Sequence, residues 1–201
     1  MIKKLISGAV LSMLLTTNGQ AQSAQNTDKQ IVKVDFDFFQ RRLEEVHDPS
    51  YDSWVINEGK EAEKSFNNVS FKLKGNFTSK WYKVGMSAPH YNKLGSDGLV
   101  TAENLELKIS GLKAGKHTLL TFHNAFDVIT GKTFSPIKIF VNGKLQETVN
   151  ASQRANAKVD AAMAYITFTA EKGKDVIVRF EIDSTNNPDI VKQIVINGFE
   201  I

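Results

Sequence analysis

The feature that most constrains this chain is period-two alternation of apolar and polar residues, repeated in short runs between turn signals. Successive side chains of an extended strand point to opposite faces, so such a run marks a strand with one buried face, whereas an amphipathic helix needs a 3.6-residue period. In Ile31 to Phe39, Val32, Val34, Phe36 and Phe38 alternate with Lys33, Asp35 and Asp37. Ser65 to Leu73 places Val69, Phe71 and Leu73 on one side. Residues 105–127, LELKISGLKAGKHTLLTFHNAFD, read as a hairpin turning through Gly111 to Gly115. In Ser135 to Val149, alternation runs into Asn142-Gly143, a favoured pair for a two-residue type I′ turn. Ala164 to Ala170, Val176 to Ile182 and Lys192 to Ile201 supply three more strands, with Lys172-Gly173-Lys174 turning between the first two. Roughly nine or ten short strands with turns between them predict an all-β antiparallel sandwich or jelly roll.

Helix is nearly excluded. Arg41 to Tyr51 is stopped at once by His47-Asp48-Pro49-Ser50, and Asn150 to Met163, rich in Ala and Asn, is the single candidate surface helix. Gly75 to Gly98 is the longest irregular stretch and holds Trp81, Tyr82, His90 and Tyr91. A loop of that length in a small domain is usually functional.

The first residues predict export. Lys3 and Lys4 precede an apolar run from Leu5 to Leu15, and small Gly19 and Ala21 end a polar tail, so residues 1–21 read as a signal peptide cut after Ala21. Residues 22–30 read as a flexible leader and 31–201 as the sandwich domain. The apolar run is too short to span a bilayer, and the chain has no Cys for lipid attachment or disulfides. The expected location is secreted, periplasmic or at the cell surface. Loss of Lys3 and Lys4 lowers the formal charge from +3 to +1, which leaves no electrostatic footprint for nucleic acid. The expected partner is a polysaccharide or oligosaccharide, with a larger glycan-degrading enzyme as a second one.

The order of ISGLKAGKHTL, IKIFVNGKL and the closing IVINGFEI resembles malectin-like and galactose-binding-like β-sandwich modules, over about residues 31–201. The resemblance implies a carbohydrate-binding part of an exported bacterial polysaccharide-degrading system. VDFDFFQ stands where the malectin pattern has a small, Gly-rich opening, so no site residue is carried over from there.

Sugar recognition needs flat aromatic faces for ring C–H surfaces and fixed polar groups for hydroxyls. Trp81, Tyr82 and Tyr91 are the candidate faces. His123, Asn124 and Asp127, at the end of the 117–126 strand, are the candidate polar set, with Leu120 and Phe122 directed to the core and His123 outward. Asp127 is the loop acid read as able to coordinate Ca²⁺; no other cofactor is implied. Trp54 reads equally as a cap on the core or a ligand contact, and Arg154 as a surface ion pair ahead of a clamp on an acidic sugar. No GxSxG, HExxH or GxxxxGK[ST] occurs, and His47, His90, His117 and His123 show no metal-ligand spacing. The expectation is a non-catalytic binding module. A structural or adhesive module packing on a partner domain, or a jelly-roll lyase using His123, are the alternatives.

Overall fold

The computed structural model describes residues 31–84, 92–182 and 187–201. The signal-peptide and leader assignments therefore lie outside the described residues. Sixteen strands follow in chain order: β1 Lys33–Asp35, β2 Asp52–Ser53, β3 Gly59–Phe66, β4 Val69–Trp81, β5 Asp97–Thr101, β6 Leu105–Ser110, β7 Gly115–Ala125 and β8 Thr133–Phe134. The second half comprises β9 Ile137–Val141, β10 Lys144–Val149, β11 Ser152–Gln153, β12 Ala162–Ala170, β13 Val176–Ile182, β14 Ile190–Val191, β15 Ile194–Ile196 and β16 Gly198–Glu200.

Two sheets face one another. The first runs β11–β7–β16–β1–β2, with β12 also on β7; the second runs β10–β9–β13–β6–β4–β5–β15, with β3 also on β4. Most pairings are antiparallel, as short connections permit, while β2 on β1 and β11 on β7 are parallel. The inward rows meet in one core: Val34, Phe36, Leu119, Ile166 and Phe199 from the first sheet, Phe71, Leu107, Ile139, Val178 and Phe180 from the second. Phe71 and Phe199 touch across the gap, ring centroids 5.0 Å apart. Each such side chain contributes roughly 2–3 kcal/mol by leaving water, which is how a chain without disulfides holds together. Trp54 belongs to this core, 3% exposed.

The expected antiparallel sandwich is thus present, but four local expectations need correction. The 105–127 segment is not a hairpin: β6 pairs with β4 and β13, while β7 pairs with β12 and β16. The chain crosses from one sheet to the other at Gly111–Gly115, because both strands bury a face against the same core. Ser65 to Leu73 is two strands, not one. Asn67 and Asn68 take left-handed φ of 48° and 67°, and the resulting turn joins β3 to β4. β4 then continues to Trp81, so the irregular stretch starts later than Gly75. Asn150 to Met163 forms the short strand β11 and one 3₁₀ turn, Lys158–Asp160, in place of a helix.

The Asn142-Gly143 turn behaves as its sequence predicts, with φ of 48° and 81° between paired β9 and β10. Nothing lies within 4 Å of where a Gly143 Cβ would sit, so only backbone strain opposes a side chain there. Gly143→Ala is expected to cost about 1 kcal/mol, read as a small drop in thermal midpoint.

Candidate ligand cleft and its buried supports

Trp81 ends β4, and just beyond it the chain opens a cleft of about 510 Å³ lined by Arg41, Arg42, Glu44, Glu45, Trp81, Tyr82, Lys83, Val84 and Ser96. Arg41 lies over the indole at 3.9 Å from the ring centroid, a cation–π contact that fixes the Trp81 ring. A one-turn helix, Leu43–Val46, presents Glu45, which pairs with Arg42 at 2.6 Å and Arg41 at 3.6 Å. Three cations and two carboxylates thus surround one half-buried aromatic face. Two of the expected site residues, Trp81 and Tyr82, share this cleft. Tyr91 and His90 lie outside the described residues.

His123 and Asn124 do not line it. In β7 the residues facing the inter-sheet core are Leu119, Thr121 and His123, whereas Leu120 and Phe122 lie on the other face, where Tyr51 and Leu94 cover Phe122. The expected face assignment is therefore reversed, and His123 points inward with no exposed surface. The cause lies outside the strand: a second layer covers the face that alternation alone would leave to solvent. Nδ1 of His123 is 2.7 Å from the Val195 carbonyl, so it carries the proton, and Nε2 accepts from the Thr121 hydroxyl at 2.7 Å. Burial pushes its pKa down to about 4. A lyase acting through His123 is corrected on the same ground, since no substrate reaches a fully buried imidazole.

Asn124 is also fully buried and spends its whole amide on the protein. Its Nδ2 donates to the Tyr82 hydroxyl at 2.9 Å and the Gly95 carbonyl at 2.8 Å. Its Oδ1 accepts from the Ser152 hydroxyl at 2.8 Å and the Ala155 N–H at 2.9 Å. Tyr82 in turn donates to the Ala155 carbonyl at 3.0 Å, and burial raises its phenol pKa. Asn197 completes this knot, accepting from the Asn124 N–H at 2.6 Å and donating to the Asp97 carbonyl at 2.8 Å. Asn124 and Tyr82 meet as a buried clasp beneath the cleft floor, not as two groups lining it. Asp127 lies on the surface beyond β7 and pairs with Lys80 at 2.8 Å. Lys80 and Trp81 are consecutive in β4 and so point to opposite faces, which separates Asp127 from the indole. Arg154 donates to the Phe126 carbonyl at 2.7 Å and forms no ion pair among the described residues.

One cluster is absent from the sequence-level expectations. Asp35, Asp37 and Asp97 are fully buried, although alternation places the first two on a solvent face of β1. Residues 43–51 fold over that face and bring His47 to it. His47 Nδ1 stands 3.4 Å from Asp35 Oδ2 and 3.3 Å from Asp37 Oδ2. Burial pushes Asp35 up to about 7 and raises Asp37 and Asp97, while the Asp35 and Asp37 carboxylates raise His47.

Neither a family model nor a curated protein sequence matches the chain. Among solved structures it is similar to a family 35 carbohydrate binding module from Clostridium thermocellum, at 12% identity and a TM-score of 0.36, over 71% of this chain and 97% of that one. It is similar to CBM35 from Paenibacillus barcinonensis at 10% identity and a TM-score of 0.32, over 70% and 96%. A salicylyl-acyltransferase from a tetracycline biosynthetic pathway gives 11% and 0.27, over 70% of this chain and 38% of that one. Likenesses this faint pass no ligand to this chain, and the sandwich stands on its strand pairing.

Proposed function

We propose that this chain is an exported, non-catalytic carbohydrate-binding module that holds a polysaccharide segment in the Trp81 cleft. The observation that carries the reading is the open cleft itself, in which an oriented indole stands among cationic and carboxylate side chains. Such a site stacks a sugar ring on Trp81 and hydrogen-bonds its hydroxyls through Arg42, Lys83 and Glu44. Tyr82 forms the wall beneath.

Affinity electrophoresis against a panel of polysaccharides tests it. Wild type is expected to be retarded by at least one glycan, and Trp81→Ala to weaken that retardation about tenfold or more, the loss of a stacking contact worth about 1.4 kcal/mol. Asp127→Ala, with its carboxylate half exposed and paired to Lys80 away from the indole, is expected to have a smaller effect. Retardation unchanged in Trp81→Ala would remove the cleft from the reading.

A packing module is the second reading, favoured by Met163 and Tyr165, which stand 45% and 69% exposed on the outward face of β12. In that case no glycan retards the wild type, and Tyr165→Ser weakens binding to a partner domain.

A further inference from the structure

The cluster on β1 holds more buried polar atoms than it has hydrogen-bond partners for. Asp35 and Asp37 are fully buried two residues apart, and among the described residues His47 is the only cationic candidate at ion-pair distance from either. Polar atoms in such a place ordinarily find hydrogen bonds. Here Asp35 Oδ1, both oxygens of Asp37, Asp97 Oδ1 and His47 Nδ1 have none. Ser53 approaches Asp37 from β2, but without the alignment of a hydrogen bond.

Spacing explains why these atoms remain unpaired. His47 Nδ1 faces two carboxylate oxygens at 3.3 Å and 3.4 Å without hydrogen-bond alignment to either. Two donors each about 2.1 Å from a tetrahedral metal stand about 3.4 Å apart, the edge of the coordination polyhedron. Among the described residues, Asp35, Asp37 and His47 are the one trio whose ligand atoms lie within 4.8 Å of one another. The geometry points to a divalent-cation site formed by Asp35, Asp37 and His47.

An imidazole in the set favours Zn²⁺ or Mn²⁺ over Ca²⁺ and Mg²⁺, which prefer oxygen donors alone. Two carboxylates and a neutral imidazole balance one divalent charge. A second contact already holds one ligand in place: the Asp48 N–H donates to Asp35 Oδ2 at 2.7 Å. The His47 side chain, 19% exposed, is where an ion enters. The bound ion would tie the 43–51 segment to β1. That segment begins with the helical turn lining the Trp81 cleft, so the cation supports the cleft from behind.

The test uses the purified protein stripped with EDTA and then given Zn²⁺, Mn²⁺, Ca²⁺ or Mg²⁺ separately. Calorimetry is expected to show one Zn²⁺ or Mn²⁺ per chain, with a rise in thermal midpoint of about 5 °C or more. Asp37→Asn and His47→Gln are expected to abolish both signals, and His117→Gln, at a surface imidazole, to leave them intact. Three results overturn the inference. One is absence of one-to-one binding by Zn²⁺ and Mn²⁺ in the stripped wild type, which needs no variant to fold. Another is binding of Ca²⁺ or Mg²⁺ that His47→Gln does not change. The third is an Asp37→Asn protein that melts higher than metal-free wild type and responds to Zn²⁺ as before. That pattern fits a repulsive carboxylate pair without a metal role.

Discussion

Asn124→Ala is expected to lower unfolding stability by about 3–5 kcal/mol. The substitution removes few atoms from the apolar core. Its cost comes from what it leaves behind: the Ala155 N–H, the Gly95 carbonyl, the Tyr82 hydroxyl and the Ser152 hydroxyl each lose their Asn124 partner. A buried polar group without a partner costs roughly 1–3 kcal/mol, and some of these four regain water or a neighbour, so the sum falls well short of four full penalties. Tyr82→Phe provides the scale. It deletes one hydroxyl and leaves the Asn124 amide its bond to Gly95, so a loss of about 1 kcal/mol is expected. Urea midpoints with an unchanged m-value read both. A loss under about 1 kcal/mol for Asn124→Ala would mean that the amide is not the clasp described, and a ligand role for it would reopen.

That clasp shows how far alternation carries and where it stops. Leu105, Leu107 and Ile109, Val176 and Val178, and the Asn142-Gly143 turn all sit where period two and turn chemistry place them, because each depends on neighbours only a few residues away. Faces buried on both sides defeat the same rule. In β7, Phe122 is covered by Tyr51 and Leu94, which lie far off in the chain, so the pattern shows two apolar rows and gives no sign of which one meets the other sheet. β1 fails for the same reason: Asp35 and Asp37 look solvent-facing until residues 43–51 fold over them. His47 has no ligand spacing to either acid in the sequence, since 10 residues separate it from Asp37 and only the fold closes that gap. Trp81 was legible as an aromatic outside the core rows. Its partner Arg41 was not, because a cation–π pair spanning 40 positions leaves no local trace.

The second large effect is on acid stability and follows from His123. In the unfolded chain its imidazole titrates near 6.5; in the folded protein it titrates near 4, because full burial opposes the charged form. Above pH 6.5 the ring is neutral in both states and pH has no leverage through it. As pH falls below 6.5 the unfolded chain takes up a proton that the folded chain refuses, so stability declines, and the decline levels off once the folded ring is itself protonated below about 4. Across that window the loss amounts to about 3 kcal/mol, at about 1.4 kcal/mol per pH unit. Asp35 acts with the opposite sign, since its folded pKa of about 7 lies above its ordinary 3.8 and its protonation on acidification favours the folded state. A wild-type curve alone therefore mixes the two. The comparison that isolates His123 is the difference between wild type and His123→Gln, measured by urea unfolding at half-unit steps from pH 7.5 to pH 3.5. The glutamine keeps a donor and an acceptor near Val195 and Thr121 but takes up no proton, and every other titration cancels in the difference. The variant starts less stable at pH 7.5, because its amide fits the slot less well than the ring. The gap is expected to narrow by about 3 kcal/mol as pH falls through the window. A gap that stays constant would place the His123 ring in contact with water, contrary to the core position that the Val195 and Thr121 contacts define.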